Sequence, residues 1–245
     1  MTLAFDVYGT LVDTAGIARA LEETAGADSA AVAARWRDKQ LEYSFRRALM
    51  RRYVSFAECT RQALDFVLAE RNLSADESAR KALMKEYGRL PAFPDAEECL
   101  KELQAKSKHY RYAFSNGSKE AVCEVLENCG LVSYFFDVVS VENKRLYKPA
   151  PEVYEYFSDC IKPKFEPLGV SIECVKHSEL IKARDLRTVW LVSSNPFDII
   201  GARAAGWEAA WINRGNVVFD KWPEKEFQPT VTLNSLKELP KVLLS

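Results

Sequence analysis

The first apolar run in the chain is short. Leu3 to Tyr8 is almost continuously hydrophobic, carries a single acid at Asp6, and ends at Gly9-Thr10. A brief apolar run closed by a turn predicts a buried strand. Four further runs read the same way: Arg111 to Phe114, Phe135 to Val141, Thr188 to Val192 and Glu208 to Ile212. Helical spacing lies between them. Asp95 is placed as the N-cap of a helix reaching about Ala105. Lys119 to Cys129 is helical, with Gly130 as its C-cap. Pro149 and Pro151 open a helix through Cys160, and Phe197 to Ala205 forms another, closed by Gly206. Alternating strand and helix predicts the α/β class: a doubly wound, mainly parallel, Rossmann-like sheet with helices on both faces.

One long stretch breaks this alternation. From Thr14 to Leu90 the chain is rich in Ala, Leu, Arg and Glu and contains no proline. Trp36, Leu41 and Phe45 read as one side of a helix, and Leu64, Val67 and Leu68 as the buried side of another. This predicts an inserted α-helical cap domain over 14–90, with residues 1–13 and 91–245 forming the core. Ile161 to Arg187, which holds Pro163, Pro167 and Gly169, fits the alternation poorly. It reads as an extended connection with a short helix near Ser178 to Arg184.

Composition narrows the function classes. Hydrophobic residues make up 48% of the 245, enough for a sizeable core, and the formal net charge is -1. Such a balance supplies no basic field for nucleic acid or an anionic membrane. The N-terminus lacks a basic start and a long apolar stretch, and no window approaches the ~18 apolar residues of a membrane span. Six cysteines occur without a CxxC pair, which fits reduced, mostly buried thiols in a cytoplasmic protein. Only His109 and His177 are present, so a His-based zinc site or triad has little material.

The chemistry gathers at strand ends. Asp6 follows the first strand, Ser115-Asn116 the second, Lys148-Pro149 the third, and Ser193-Ser194-Asn195 with Asp198 the fourth. A parallel sheet brings all four to one edge, where open α/β sheets bind ligands. Singly, each has a bland reading. Asp6 alone would be a turn residue, Lys148 a solvated lysine, and Arg37, among Arg35, Asp38, Lys39 and Glu42, part of a solvated helix face. The basic pairs Arg46-Arg47 and Arg51-Arg52 read as solvated surface or an interface.

Together, the segment Phe5 to Leu11, Ser115-Asn116-Gly117, Lys148-Pro149 and Ser193 to Asp198 resemble the four motifs of the haloacid dehalogenase superfamily. Trp36 to Ser44 resembles its (S)-2-haloacid dehalogenase branch. The resemblance implies a short 2-haloacid as substrate, Asp6 as nucleophile, Asp198 and Asn195 beside the hydrolytic water, and Lys148 as their counter-ion. It further implies that Thr10, Ser193 and Ser115 place the carboxylates, with Tyr154 in the same site. Arg37, Asn116 and Phe197 would cradle the leaving halide, and Tyr8, Leu41 and Phe56 would wall the alkyl group. Asp38 stands where this branch often has Gln. Phosphatases of the superfamily carry an acid where this chain has Tyr8, to protonate a leaving alkoxide, and a further metal-binding acid where it has Ser194. A leaving halide needs neither. The resemblance therefore implies no metal, no cofactor and a homodimer.

Overall fold

The computed structural model describes residues 1–162 and 188–244. Among these residues six strands form one parallel sheet: β1 (Thr2–Phe5), β2 (Tyr110–Ser115), β3 (Asp137–Ser140), β4 (Val189–Ser193), β5 (Glu208–Ile212) and β6 (Val231–Leu233). Their order is β3-β2-β1-β4-β5-β6. β1 is central, pairing Phe5 with Ala113 on one side and Val192 on the other. The strand order reverses across β1, so the crevice at its carboxyl end is the topological switch point. Asp6 is the next residue.

All four residues of β1 are buried, as a strand covered on both faces requires. Side chains alternate between the faces. Leu3 and Phe5 join a core with α5 (Ala96–Lys106), α6 (Lys119–Asn128) and α9 (Leu239–Leu243). Ala4 faces the opposite core, built with α7 (Pro151–Cys160) and α8 (Pro196–Ala204). There Phe114, Tyr154, Phe157 and Trp207 meet at ring separations of 4.9–6.0 Å. Each such pair contributes about 0.5–1.5 kcal/mol beyond its buried area.

Between β1 and β2 the described structure is helical: α1 (Glu22–Ala25), α2 (Ser29–Leu49), α3 (Phe56–Glu70) and α4 (Glu77–Glu86), with short 3-10 turns. The chain leaves and re-enters the sheet region through one paired gateway. Asp13 N donates to the Pro91 carbonyl and Phe93 N to the Leu11 carbonyl, both at 2.8 Å. The Asp13 side chain then caps the first turn of the insert.

The structure corrects several expectations. Trp36, Leu41 and Phe45 do not share a helix side. Five residues advance an α-helix by about 140° beyond a full turn, so Trp36 enters the main core while Leu41 and Phe45 face elsewhere. Asp95 occupies the N-cap position but makes no cap hydrogen bond. Its carboxylate accepts instead from Arg214, Ser235 and Leu236 N. The third strand is shorter than expected, Asp137–Ser140. Among the five described cysteines, Cys59 and Cys99 are buried and Cys123, Cys129 and Cys160 partly so, and all five are free. The connection and short helix expected within 163–187 lie outside the described residues. Among those residues, no helix is long and apolar enough to cross a membrane.

Candidate active site

Asp6 N continues the sheet ladder by donating to the Val192 carbonyl at 3.0 Å. The chain then coils tightly: the amides of Thr10, Leu11 and Val12 all donate to the Val7 carbonyl. Gly9 makes this possible with a φ of 89°, a left-handed conformation that costs glycine little. The coil returns the Thr10 hydroxyl to Asp6 Oδ2 at 2.7 Å. The same hydroxyl accepts from Ser194 N at 2.9 Å, linking the loops after β1 and β4. From the β4 loop, Asn195 Nδ2 donates to Asp6 Oδ2 at 2.7 Å and to the Tyr8 carbonyl at 3.2 Å. The Ser193 hydroxyl reaches the same carboxylate oxygen at 3.3 Å.

Lys148 joins the two acids. Its ammonium donates to Asp6 Oδ1 at 2.9 Å, Asp198 Oδ2 at 2.6 Å and the Phe114 carbonyl at 3.0 Å. All three protons are used, and the side chain is only 1% exposed. The ammonium stays charged at such a site because two carboxylates in contact with it outweigh its loss of hydration. Tyr154 completes the far side, donating to Asp198 Oδ1 at 2.8 Å. Asn116 Oδ1 accepts from Lys148 N at 2.8 Å, fixing the backbone that carries the lysine.

These contacts set the charges. Burial pushes the Asp6 carboxyl up, but Lys148, the Thr10 hydroxyl and Arg37 outweigh it and hold the group below the usual aspartate range. For Asp198 burial wins, reinforced by Asp6 and only partly offset by Lys148, and its pKa is pushed up to about 6. Burial lowers Lys148, yet Asp198 and Asp6 more than restore it, leaving it above the ordinary lysine value. One carboxylate is therefore kept ionised and its neighbour is poised near neutrality, a separation that assigns different roles to similar groups. Burial raises Tyr8 to about 12, so its phenol is a poor acid.

Arg37, from α2, is not part of a solvated face. Its guanidinium donates to the Tyr8 carbonyl at 3.3 Å and to Gln40 Oε1 at 2.6 Å. Gln40 in turn donates to the Thr60 hydroxyl. Asp38 points to solvent. Tyr8 and Phe56 line a cavity of about 480 Å³ with Gln40 and Thr60. Leu41 packs against the cluster of Phe56 and Tyr147, and Phe197 meets Phe45 edge to face at 5.1 Å. Ser115 departs from expectation. Its hydroxyl accepts from Gly117 N at 3.2 Å, ordering its own turn, and does not bond a carboxylate.

Three contributors escaped the sequence reading. Gln40, one turn beyond Arg37, orients it. Arg214 follows β5, a fifth strand end on the same edge; it donates to the Thr10 carbonyl and the Ser194 hydroxyl while paired with Asp95. Gly201 lies one turn beyond Asp198. A Cβ there would stand 2.3 Å from the Tyr154 hydroxyl and 2.7 Å from Pro149 Cβ. A glycine inside a helix is itself the signal, since alanine is ordinarily preferred. Gly201→Ala is expected to destabilise the protein by about 1–3 kcal/mol through overpacking, against the usual gain from that change. Urea unfolding of the two proteins measures it.

Comparison with known proteins places the chain in a family. The family model for haloacid dehalogenase-like hydrolases matches residues 1–206. A haloacetate dehalogenase, H-2, of Moraxella sp. (strain B) is 35% identical over 89% of this chain and 88% of its own. An (S)-2-haloacid dehalogenase of Pseudomonas sp. (strain YL) is 32% identical over 97% of this chain and 93% of its own. Among solved structures, the L-2-haloacid dehalogenase of Xanthobacter autotrophicus with chloropropionic acid covalently bound superposes with a TM-score of 0.80. It is 30% identical, covering 99% of this chain and 97% of that one. With a family match across most of its length and relatives above 30% identity, the chain belongs to the haloacid dehalogenase-like hydrolases.

Proposed function

We propose that the protein hydrolyses short (S)-2-haloalkanoic acids to 2-hydroxy acids through an ester on Asp6. The observation that carries this reading is the single Lys148 ammonium held between Asp6 and Asp198, beside a loop whose second residue after the nucleophile is Tyr8 and not an acid.

Asp6 attacks C2 of the substrate. A carbon–oxygen bond forms with inversion, and the carbon–halogen bond breaks with its electron pair on the halide. Arg37, the Asn116 amide and the edge of Phe197 receive the halide; Tyr8, Leu41 and Phe56 enclose the alkyl group. Water beside Asn195 then gives a proton to Asp198 and attacks the carbonyl carbon of the Asp6 ester. On collapse the proton on Asp198 passes to the departing alkoxide, giving the 2-hydroxy acid, and the carboxyl proton left on Asp6 is lost to solvent, regenerating both carboxylates. Lys148 keeps Asp6 ionised for the first step and orients Asp198 for the second, with Tyr154 steadying Asp198. Thr10, Ser193 and Ser115 position the loops. No metal or cofactor enters these steps. The oxygen donors nearest Asp6 are already engaged, with Asp198 held by Lys148 and Tyr154 and the Ser194 hydroxyl accepting from Arg214. Residues 14–90 serve as the cap, and 1–13 with 91–245 as the catalytic core. We read the protein as cytoplasmic, homodimeric and without a nucleic-acid or membrane partner.

Chloride release from the two enantiomers of 2-chloropropionate tests the reading. Release from the (S) form is expected. Turnover of a phosphate monoester without halide release would overturn it. The two carboxylates also predict a pH split. Below about pH 6 Asp198 takes a proton, and ester hydrolysis slows by about tenfold per unit. Asp6, held below the usual range, still ionises and still alkylates. Intact mass at pH 5 with excess substrate is therefore expected to show the alkylated enzyme, the Asp6 ester, accumulating, and at pH 8 the free enzyme.

A further inference from the structure

Two cavities of opposite charge reach residues around Asp6, one at Tyr8 and the other at Lys148. The acidic one is the cavity of Tyr8 and Phe56, where Glu120, Glu124 and Glu142 stand against Lys85. The other is larger, about 730 Å³, and its wall reaches Lys148 and Phe197. Its lining includes the apolar surfaces of Phe45 and Tyr53, and it carries Arg51, Lys144 and Arg145 against one acid, Glu152. Lys148 adds no free charge, being matched internally by Asp6 and Asp198. Among the described residues, none of the three rim cations forms a salt bridge.

The backbone gives an independent observation. Four described residues other than glycine have positive φ: Arg51, Asn72, Arg145 and Asn216. Asparagine tolerates the left-handed region; arginine does so poorly. Arg51, at 54°, follows the end of α2, and Arg145, at 53°, ends the 3-10 turn after β3. Glycine is the usual solution at such positions. Both strained arginines line the same cavity. Strain of this kind persists where a side chain is needed. Arg145 is further held with its guanidinium 5.8 Å from the Tyr53 ring.

We infer that this cavity is the anion port of the enzyme, where Arg51, Lys144 and Arg145 capture the 2-haloalkanoate before it passes Phe197 to reach Asp6. The inference rests on the proposed dehalogenase reading. A cleft of one sign between low-dielectric walls focuses the field and raises the local concentration of the opposite ion, an effect that salt suppresses. Glu120, Glu124 and Glu142 disfavour entry of an anion from the side of the Tyr8 and Phe56 cavity, so the basic cavity is the route in, while Tyr8 and Phe56 contact only the alkyl group.

The test compares the wild type with Lys144→Glu/Arg145→Glu, and with Lys101→Glu/Lys108→Glu as a control of equal net charge on exposed residues elsewhere. Chloride release from (S)-2-chloropropionate is followed across potassium sulfate concentrations. For the port variant, kcat/KM is expected to fall about tenfold at low salt, kcat to hold, and the salt dependence to flatten or reverse. The control is expected to track the wild type. Arg51→Gly/Arg145→Gly is expected to lose kcat/KM with no loss of melting temperature, which separates capture from folding. A port variant that retains the wild-type kcat/KM and salt slope would overturn the inference. Calorimetric binding of lactate distinguishes the two levels. Wild type that binds lactate with this charge dependence but releases no halide would keep the port and remove the dehalogenase reading.

Discussion

Asp6→Asn is expected to lower halide release by about 10⁴-fold or more, because asparagine has the shape of the nucleophile without its charge. The surrounding structure explains why rescue from a neighbour is not expected. Among the described residues, the carboxylate that shares Lys148 with Asp6 is Asp198, and it lies behind Lys148, fully buried and bonded to Tyr154. The fold should survive, since asparagine fills the same space and Lys148 keeps Asp198 and the Phe114 carbonyl. A stability loss of about 1–3 kcal/mol is expected, because the new NH₂ group faces donors where a carboxylate accepted. Chloride assays with circular dichroism separate the two effects. Loss of activity together with loss of fold would not fit this account.

Lys148→Met carries the second large effect. It leaves two buried carboxylates facing each other with no ammonium between them. Both cannot ionise at such separation, so the pair takes up a proton near neutral pH. Activity is expected to fall about 10²–10³-fold, because the shared proton takes the charge from the nucleophile or from the base, and stability to fall by about 3–5 kcal/mol, as is typical of breaking a buried ion pair by removing one partner. The sign of the stability change with pH follows from the direction of the shifts. Asp198 already sits at about 6, above the unfolded aspartate value, and loss of Lys148 raises it further. A group whose folded pKa is raised stabilises only while protonated, and that contribution disappears as pH rises through the folded pKa. The proton's contribution is therefore expected to be full below about pH 4, the unfolded aspartate value, and to be lost as pH rises from there through the raised folded pKa, which lies above 6. Urea unfolding at pH 5 and pH 8 provides the comparison.

The site was legible in the sequence because its parts obey local rules. Asp6, Ser115, Lys148 and Ser193 each close or follow an apolar run, and parallel strands carry such ends to one edge. What escaped is non-local or too short to show a period. Asp95 and Arg214 lie 119 residues apart, so nothing near Asp95 distinguishes a helix cap from a partner of the β5 loop. β6 has three residues, below the length at which alternation is visible. The face of α2 was misread because its buried side includes Lys39 and Gln40. The Lys39 ammonium rests 4.1 Å from the centre of the Phe66 ring and pairs with Glu42, and Gln40 bonds Arg37 and Thr60. Apolar spacing cannot find a face that buries polar groups in matched pairs. Gly201 is the intermediate case. Its position inside a helix was visible, but the reason, the approach of Tyr154 and Pro149 from α7 and the loop before it, required the fold.

The central claim is that substrate becomes covalently attached to Asp6 and that water attacks the Asp6 carbonyl carbon. A single turnover in H₂¹⁸O, with enzyme in excess over (S)-2-chloropropionate, tests it most directly. The account predicts ¹⁸O in the Asp6 carboxylate, located by peptide mass, and lactate carrying an unlabelled hydroxyl oxygen taken from Asp6. Labelled lactate from an enzyme whose Asp6 peptide remains unlabelled would contradict it.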